Sequence, residues 1–341
     1  MLTAIQTAGS GAWIGRLIGL GLVLLVAFLA VLYCTRMPGR SYAGPLEPLT
    51  EHEQALRDEL REHVGVLAGN IGERNMIRLR ALRAAADYLR SSLVAMGYDV
   101  REQAFRVQGE EVRNLEVEVR GSARPEEIVL IGAHYDSVIG APGANDNASG
   151  VAALLALTRW AREQTFARTV RFVAFVNEEP PFFQSKAMGS RAYAREAKKR
   201  GEKIVAMVSL ETIGCYLDTP GSQSYPAPFG FFYPRTGNFI AFVGNVGSRD
   251  LVHRVISAFR ETTKFPSEGA AAPGLIPGIG WSDQWSFWQE GYSGEMVTDT
   301  ALFRYAHYHT ERDLPEMLDY ERMARVVVGL ERVIAALGNE K

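Results

Sequence analysis

Apolar and polar residues follow three successive rhythms along the chain. The first is an unbroken apolar run. Leu17 to Cys34 carries no charge and is rich in Leu, Val, Ala and Gly. A helix of that length covers about 27 Å at about 1.5 Å per residue, close to the hydrocarbon thickness of a bilayer. Trp13 and Tyr33 flank it as interface anchors. Residues 37–49 then read as a Pro/Gly linker. The second rhythm is helical. Leu56, Leu60, Val64 and Leu67 share one face between Thr50, a good N-cap, and about Ala68. Leu79, Leu82, Ala86, Leu89 and Leu93 do the same between Arg78 and Met96, and Gly97 supplies the stop.

The third rhythm is that of strands. Tyr98 to Gly121 alternates and predicts two or three antiparallel strands. Short apolar runs follow at Ile128–Ala133, Thr169–Asn177, Lys203–Ser209, Phe239–Gly244 and Glu295–Thr300. Helical segments separate or follow them at Val151–Arg162, Ser190–Arg200, Arg249–Arg260 and Tyr320–Leu337. This pattern predicts an α/β fold: a mixed, mostly parallel central sheet with helices on both faces. The expected organisation is an anchor over 1–36, a linker over 37–49 and one folded unit over 50–341. Two stretches without periodicity, 218–236 and 266–281, are rich in Gly and Pro and read as loops that shape a pocket.

Composition adjusts this picture only at its edges. A net charge of −2 over 341 residues gives no reason to expect a nucleic-acid partner. Of two cysteines, Cys34 lies in the apolar run, so Cys215 is alone in the folded part. That excludes a disulfide framework and a cysteine-based zinc knuckle there. The apolar run is long for a cleaved signal peptide, and Arg36 and Arg40 precede the small-residue site Ser41-Tyr42-Ala43. The expectation is therefore an uncleaved, single-pass membrane anchor. Arg16 before the span and Arg36 and Arg40 after it leave orientation poorly specified. The short head suits a folded unit outside the cytoplasm, which is the expectation carried forward.

Candidate chemistry sits at the carboxyl ends of the predicted strands, where open α/β sheets place their sites. Ile128–Ala133 delivers His134 and Asp136, followed by a Gly/Pro/Asn-rich loop with Asp146. The next strand delivers Glu178 and Glu179, the third ends at Glu211, and the last leads past Asp299 to Tyr308 and His309. Each alone has a plain reading: a hydrogen-bonded histidine, a solvated acidic pair, a helix cap, a strand terminus. Together they put two histidines and up to six carboxylates in one cleft. So many carboxylates repel unless some protonate or a divalent cation joins them.

The motifs Gly132-Ala-His-Tyr-Asp-Ser137, Gly143-Ala-Asn-Asp-Asn-Ala-Ser-Gly150, Asn177-Glu-Glu179, Ser209-Leu-Glu-Thr-Ile-Gly214, Ser282-Asp283 and Tyr308-His-Thr310 resemble the M28 family of zinc peptidases, in its bacterial aminopeptidase-like group. The resemblance spans essentially all of Thr50–Lys341. It implies two zinc ions, with His134 and Glu211 on one, Glu179 and His309 on the other, and Asp146 bridging both. It implies that Asp136 supports His134, that Glu178 is the general base, and that Tyr308 is a candidate donor to the oxyanion. The implied activity is that of an exopeptidase acting on peptides, an aminopeptidase first. A carboxypeptidase, a glutaminyl-cyclase-like enzyme and an inactive binding ectodomain are the alternatives. Two features depart from the family pattern. Glu211 stands where Asp is commoner, and the link after the Glu pair is expanded to Pro180-Pro-Phe-Phe-Gln-Ser-Lys-Ala-Met-Gly-Ser190.

Overall fold

A computed structural model describes residues 7–340; Met1–Gln6 of the expected anchor and Lys341 lie outside the described residues. Helix α1 (Thr7–Thr35) is followed by α2 (Glu51–Val64) and α3 (Leu79–Ala95). Thr50 and Glu53 form a reciprocal capping box that starts α2. Gly97, at φ 84°, takes the left-handed position just past α3.

Next come β1 (Arg101–Val107), β2 (Glu110–Val119), β3 (Arg124–His134), α4 (Gly150–Ala161), β4 (Arg168–Phe175), α5 (Gly189–Lys199) and β5 (Lys203–Glu211). The chain continues through β6 (Ile240–Gly244), α6 (Arg249–Thr262), β7 (Ser267–Ala271), α7 (Gln284–Trp288), β8 (Gly294–Thr298), α8 (Ala301–Arg304) and α9 (Tyr320–Asn339). The eight strands form one sheet in the order β1-β2-β4-β3-β5-β8-β6-β7. Strands β4, β3, β5 and β8 are parallel neighbours, while β1 and β2 at one edge and β6 next to β8 pair antiparallel. The expected α/β architecture is thus the observed one.

One expectation needs correction at the far edge. The stretch read as a loop from Pro266 contains β7, which pairs in parallel with β6. Its sequence, Ser-Glu-Gly-Ala-Ala, has neither alternation nor a β-branched residue, so it carries no strand signal.

Strand period divides the core. Val129, Ile131 and Ala133 pack with α2, α3, α4, α6 and α9 on one face. Ile128 and Leu130 pack with Tyr193 and Ala194 of α5 and Phe287 of α7 on the other. Each fully buried Leu or Ile of this kind contributes about 1.5–3 kcal/mol. The parallel alignment of β3, β4, β5 and β8 brings their carboxyl ends to one side of the sheet.

Helix α1 stands with its apolar side chains exposed, and Gly15–Thr35 is long and apolar enough to cross a membrane. Residues after it lie along the folded unit. Arg260 donates to the Pro38 carbonyl at 2.8 Å, and the Ser267 amide donates to Ser41 Oγ at 2.9 Å.

Candidate metal centre

Four of the six non-glycine residues with positive φ among the described residues, Asn177, Thr212, Thr300 and His309, lie at the carboxyl end of the sheet. Such conformations are costly and cluster where a site over-determines the backbone. Asn177, at φ 59°, turns the chain so that Glu178 and Glu179 face inward after β4. Helix α4 begins just beyond Asp146 and lies hard against β5. A Cβ at Gly150 would sit 2.5 Å from the Leu210 carbonyl oxygen, so only glycine fits.

The residues singled out in the sequence converge in two groups that share one carboxylate. His134, Asp146 and Glu211 form the first; Asp146, Glu179 and His309 form the second. In the first, His134 Nε2 is 3.3 Å from Asp146 Oδ1 and 3.2 Å from Glu211 Oε2. In the second, His309 Nε2 is 3.0 Å from Asp146 Oδ2 and 3.4 Å from Glu179 Oε2. The two oxygens of Asp146 therefore face different groups. Both ring nitrogens of His134, Asp146 Oδ1 and Glu179 Oε1 are buried without a hydrogen-bond partner. Close approach without hydrogen bonding is what ligand atoms around a shared ion show. Donors about 2.0–2.1 Å from a tetrahedral zinc lie about 3.3 Å apart. On this observation the residues fit a metal pair.

Glu178 lies beside the first group but outside both, with Oε2 3.9 Å from His134 Nε2. Asp136 accepts from the amides of Glu178 (3.0 Å) and Glu179 (3.2 Å) and so fixes the acidic pair. Its Oδ1 is 3.5 Å from His134 Nδ1, longer than a hydrogen bond. Tyr308 stacks on the His309 ring with centroids 3.8 Å apart.

Burial governs the electrostatics. It pushes the carboxyls of Glu178 and Glu179 well above the usual range, with Glu211 and Asp146 adding repulsion, and it raises Glu211. It also works against the charged form of His134, yet Glu211 and Glu178 hold that imidazole well above its ordinary pKa. Asp146 goes the other way: burial opposes its charge, but His134 and His309 keep its carboxyl below the usual range.

Two supporting residues, Asp313 and Arg74, escaped the sequence reading, whereas Ser282 belongs to a motif it singled out. Asp313 accepts from the amides of Asn145 (2.8 Å) and Asp146 (3.0 Å), pinning the shared carboxylate. The buried Arg74 guanidinium donates to five carbonyl oxygens, including Tyr135 (2.7 Å) and Gly143 (2.8 Å). Ser282 donates to Glu211 Oε2 at 2.7 Å. No local motif marks Asp313 or Arg74, because each acts on segments distant in sequence. Asp299, counted among the cleft carboxylates, instead accepts from Asn145 Nδ2 (2.8 Å) and the Cys215 amide (2.7 Å) behind the site. Asp283 does not cap α7; its two oxygens are buried without partners.

A mixed α/β sheet carries at its carboxyl edge two His/carboxylate groups of the kind that can hold divalent cations. The chain belongs to peptidase family M28, whose model it matches over residues 114–333. It is 36% identical to protein YfbL of Escherichia coli (strain K12) over 293 residues, covering 83% of this chain and 88% of that one. It is 28% identical over 231 residues to leucine aminopeptidase 1 of Trichophyton rubrum, covering 62% of this chain but only 56% of that enzyme. Among solved structures it shares its fold with the zinc aminopeptidase BSAP of Bacillus subtilis, with TM-score 0.66, 14% identity, and 83% and 95% of the two chains covered. It also shares it with the glutaminyl cyclase of Porphyromonas gingivalis, with TM-score 0.60, 18% identity, and 82% and 97% covered.

Proposed function

We propose that this protein is a zinc-dependent exopeptidase, an aminopeptidase, held in a membrane by residues 1–36 with residues 50–341 as the catalytic unit outside the cytoplasm. The observation that carries the reading is the pair of donor groups sharing Asp146. His134 and Glu211 are assigned to one zinc, Glu179 and His309 to the other, and Asp146 to both. When bound, the ions would supply Lewis acidity and ease deprotonation of the attacking water at neutral pH.

Glu178 is the general base. It sits within reach of the first donor group without belonging to it, so its carboxylate is free to take a proton. It takes a proton from the attacking water as the carbon–oxygen bond forms. It returns that proton to the leaving amine as the carbon–nitrogen bond breaks. Asp136 positions Glu178 through the backbone, and Tyr308, on the cavity wall with Glu211, is assigned to steady the oxyanion.

Glu178→Gln should lower kcat by about 10²–10⁴-fold, the usual worth of a general base, with metal content unchanged. Unchanged turnover would remove Glu178 from this role. A panel of free-amine, N-acetylated and C-amidated peptides tests the exopeptidase class. Hydrolysis of the first and third alone is expected; cleavage that needs a free carboxylate would mean a carboxypeptidase. The fold shared with glutaminyl cyclases supports a second reading, cyclisation of N-terminal Gln, which the same panel detects as loss of ammonia without peptide cleavage.

A further inference from the structure

Two stretches of the folded unit carry no charge at all: Thr219–Pro234 and Gly269–Ser282. Both wall the same cavity of about 840 Å3, counting the part open to solvent. Phe229 and Tyr233 come from the first stretch, Ile276 and Trp281 from the second, and Glu211 and Tyr308 also line it. Outside the cavity each stretch presents one bare apolar residue. Phe231 is 90% exposed and Leu275 is 97% exposed. Both sit on uncharged loops that wall one cavity, and apolar residues exposed on such loops suit an interaction surface.

Contacts with helix α1 place the first stretch. The Phe232 ring meets the Phe28 ring at a centroid distance of 6.4 Å. Phe28 lies seven residues before Thr35, about 10 Å along the helix. The turn carrying Phe231 and Phe232 therefore sits beside the apolar part of α1, below its end. At the end itself, the Arg249 guanidinium lies 4.2 Å over the Tyr33 ring and donates to the Tyr33 carbonyl at 3.2 Å. An arginine stacked on a tyrosine suits the headgroup layer. Cys34 packs against the cluster that contains Phe229, which ties helix and loop into one surface.

We propose that the two uncharged stretches enter the same lipid bilayer as α1, with Phe231 and Leu275 inserted, so that the cavity beside the paired donor groups opens at the membrane face. The occupant of this surface is lipid, because the surface continues that of α1. The inference rests on the anchor reading above and goes beyond it.

The test uses the full chain with Cys34→Ser in phosphatidylcholine/phosphatidylglycerol vesicles. An environment-sensitive nitrobenzoxadiazole dye is attached at Phe231→Cys, Leu275→Cys, Leu25→Cys in α1, or Lys198→Cys. Lys198 is exposed at the end of α5 that leads into the start of β5, away from the carboxyl edge. Doxyl-labelled phosphatidylcholine should quench the dye at 25, 231 and 275 and leave it bright at 198. Quenching at 25 without quenching at 231 and 275 overturns the inference and leaves the anchor standing. A blue shift at 231 and 275 without quenching also overturns it and assigns the surface to a protein contact. No quenching at 25 overturns the anchor reading itself.

Discussion

At the amino tips of β3, β4 and β5, Glu127 accepts hydrogen bonds from Arg168 Nε at 2.6 Å and Lys203 Nζ at 2.7 Å, and Arg168 goes on to Glu340 at 2.8 Å. Lys203 and Arg168 hold the Glu127 carboxyl down to about 2. At the carboxyl tips of the same strands, His134, Glu178, Glu179 and Glu211 crowd around Asp146. There, no Lys or Arg among the described residues forms an ion pair with these carboxylates. One tip is neutralised by the chain and the other is not. The two tips differ in what the chain sets against its carboxylates: Arg and Lys ion pairs at one, and at the other two imidazoles in a buried cluster, with the Arg74 guanidinium committed to loop carbonyls.

Removing the shared carboxylate should break the contrast outright. Asp146→Ala takes one donor from each group, so under the proposed two-zinc assignment metal content should fall toward none, with hydrolysis lost. A variant that keeps both ions would end the bridging assignment.

The pH response should separate the tips next. Burial lifts Asp283 and Asp299 to about 7. Their folded pKa values are raised, so their contribution is full below about pH 4 and is lost as pH rises through 7. The chelated protein should thus melt at progressively lower temperature between pH 4 and pH 7, and zinc added at pH 7 should reverse the loss. Glu127 has the opposite sign: its contribution is full above about pH 4.5 and disappears as pH falls toward 2. Melting curves across both windows, with and without chelator, check the two signs.

A smaller effect is expected from Ser282→Ala, which removes the hydrogen bond to Glu211 and leaves the donor in place. Outer partners of this kind are typically worth about 10–100-fold in metal affinity, measurable by competition with a chelator. The smallest change belongs to the balanced tip. Glu127→Gln should leave metal content and hydrolysis as they were, and altered metal content would mean that the two tips communicate.

Much of this was legible in the amino-acid order. The strands that position the site are short, buried apolar runs, and each candidate residue follows one directly, so period and strand ends suffice to place His134, Glu178, Glu179 and Glu211. Asp146 and His309 sit on loops beyond strand ends; position made them candidates, and the resemblance to family motifs supplied the roles expected of them. Strand β7 stayed hidden because its small residues gain their pairing from β6 alone. Arg74 and Asp313 stayed hidden because their partners are backbone groups on remote segments, and no spacing rule reaches that far. The setting of Phe231 was equally silent, since it depends on where α1 comes to rest.

Arg74 has a consequence for how the chain can be divided. The family match begins at residue 114, and residues 114–333 already contain every assigned ligand and the assigned base. Yet the guanidinium that ties together the carbonyls of Leu67, Gly72, Tyr135, Pro142 and Gly143 comes from upstream. A chain trimmed to the matched region would keep the whole inventory of reacting groups and lose the keystone beneath the Asp146 loop. The helical preface is thus part of the instrument: shortening it would blunt the active end without touching a single active residue.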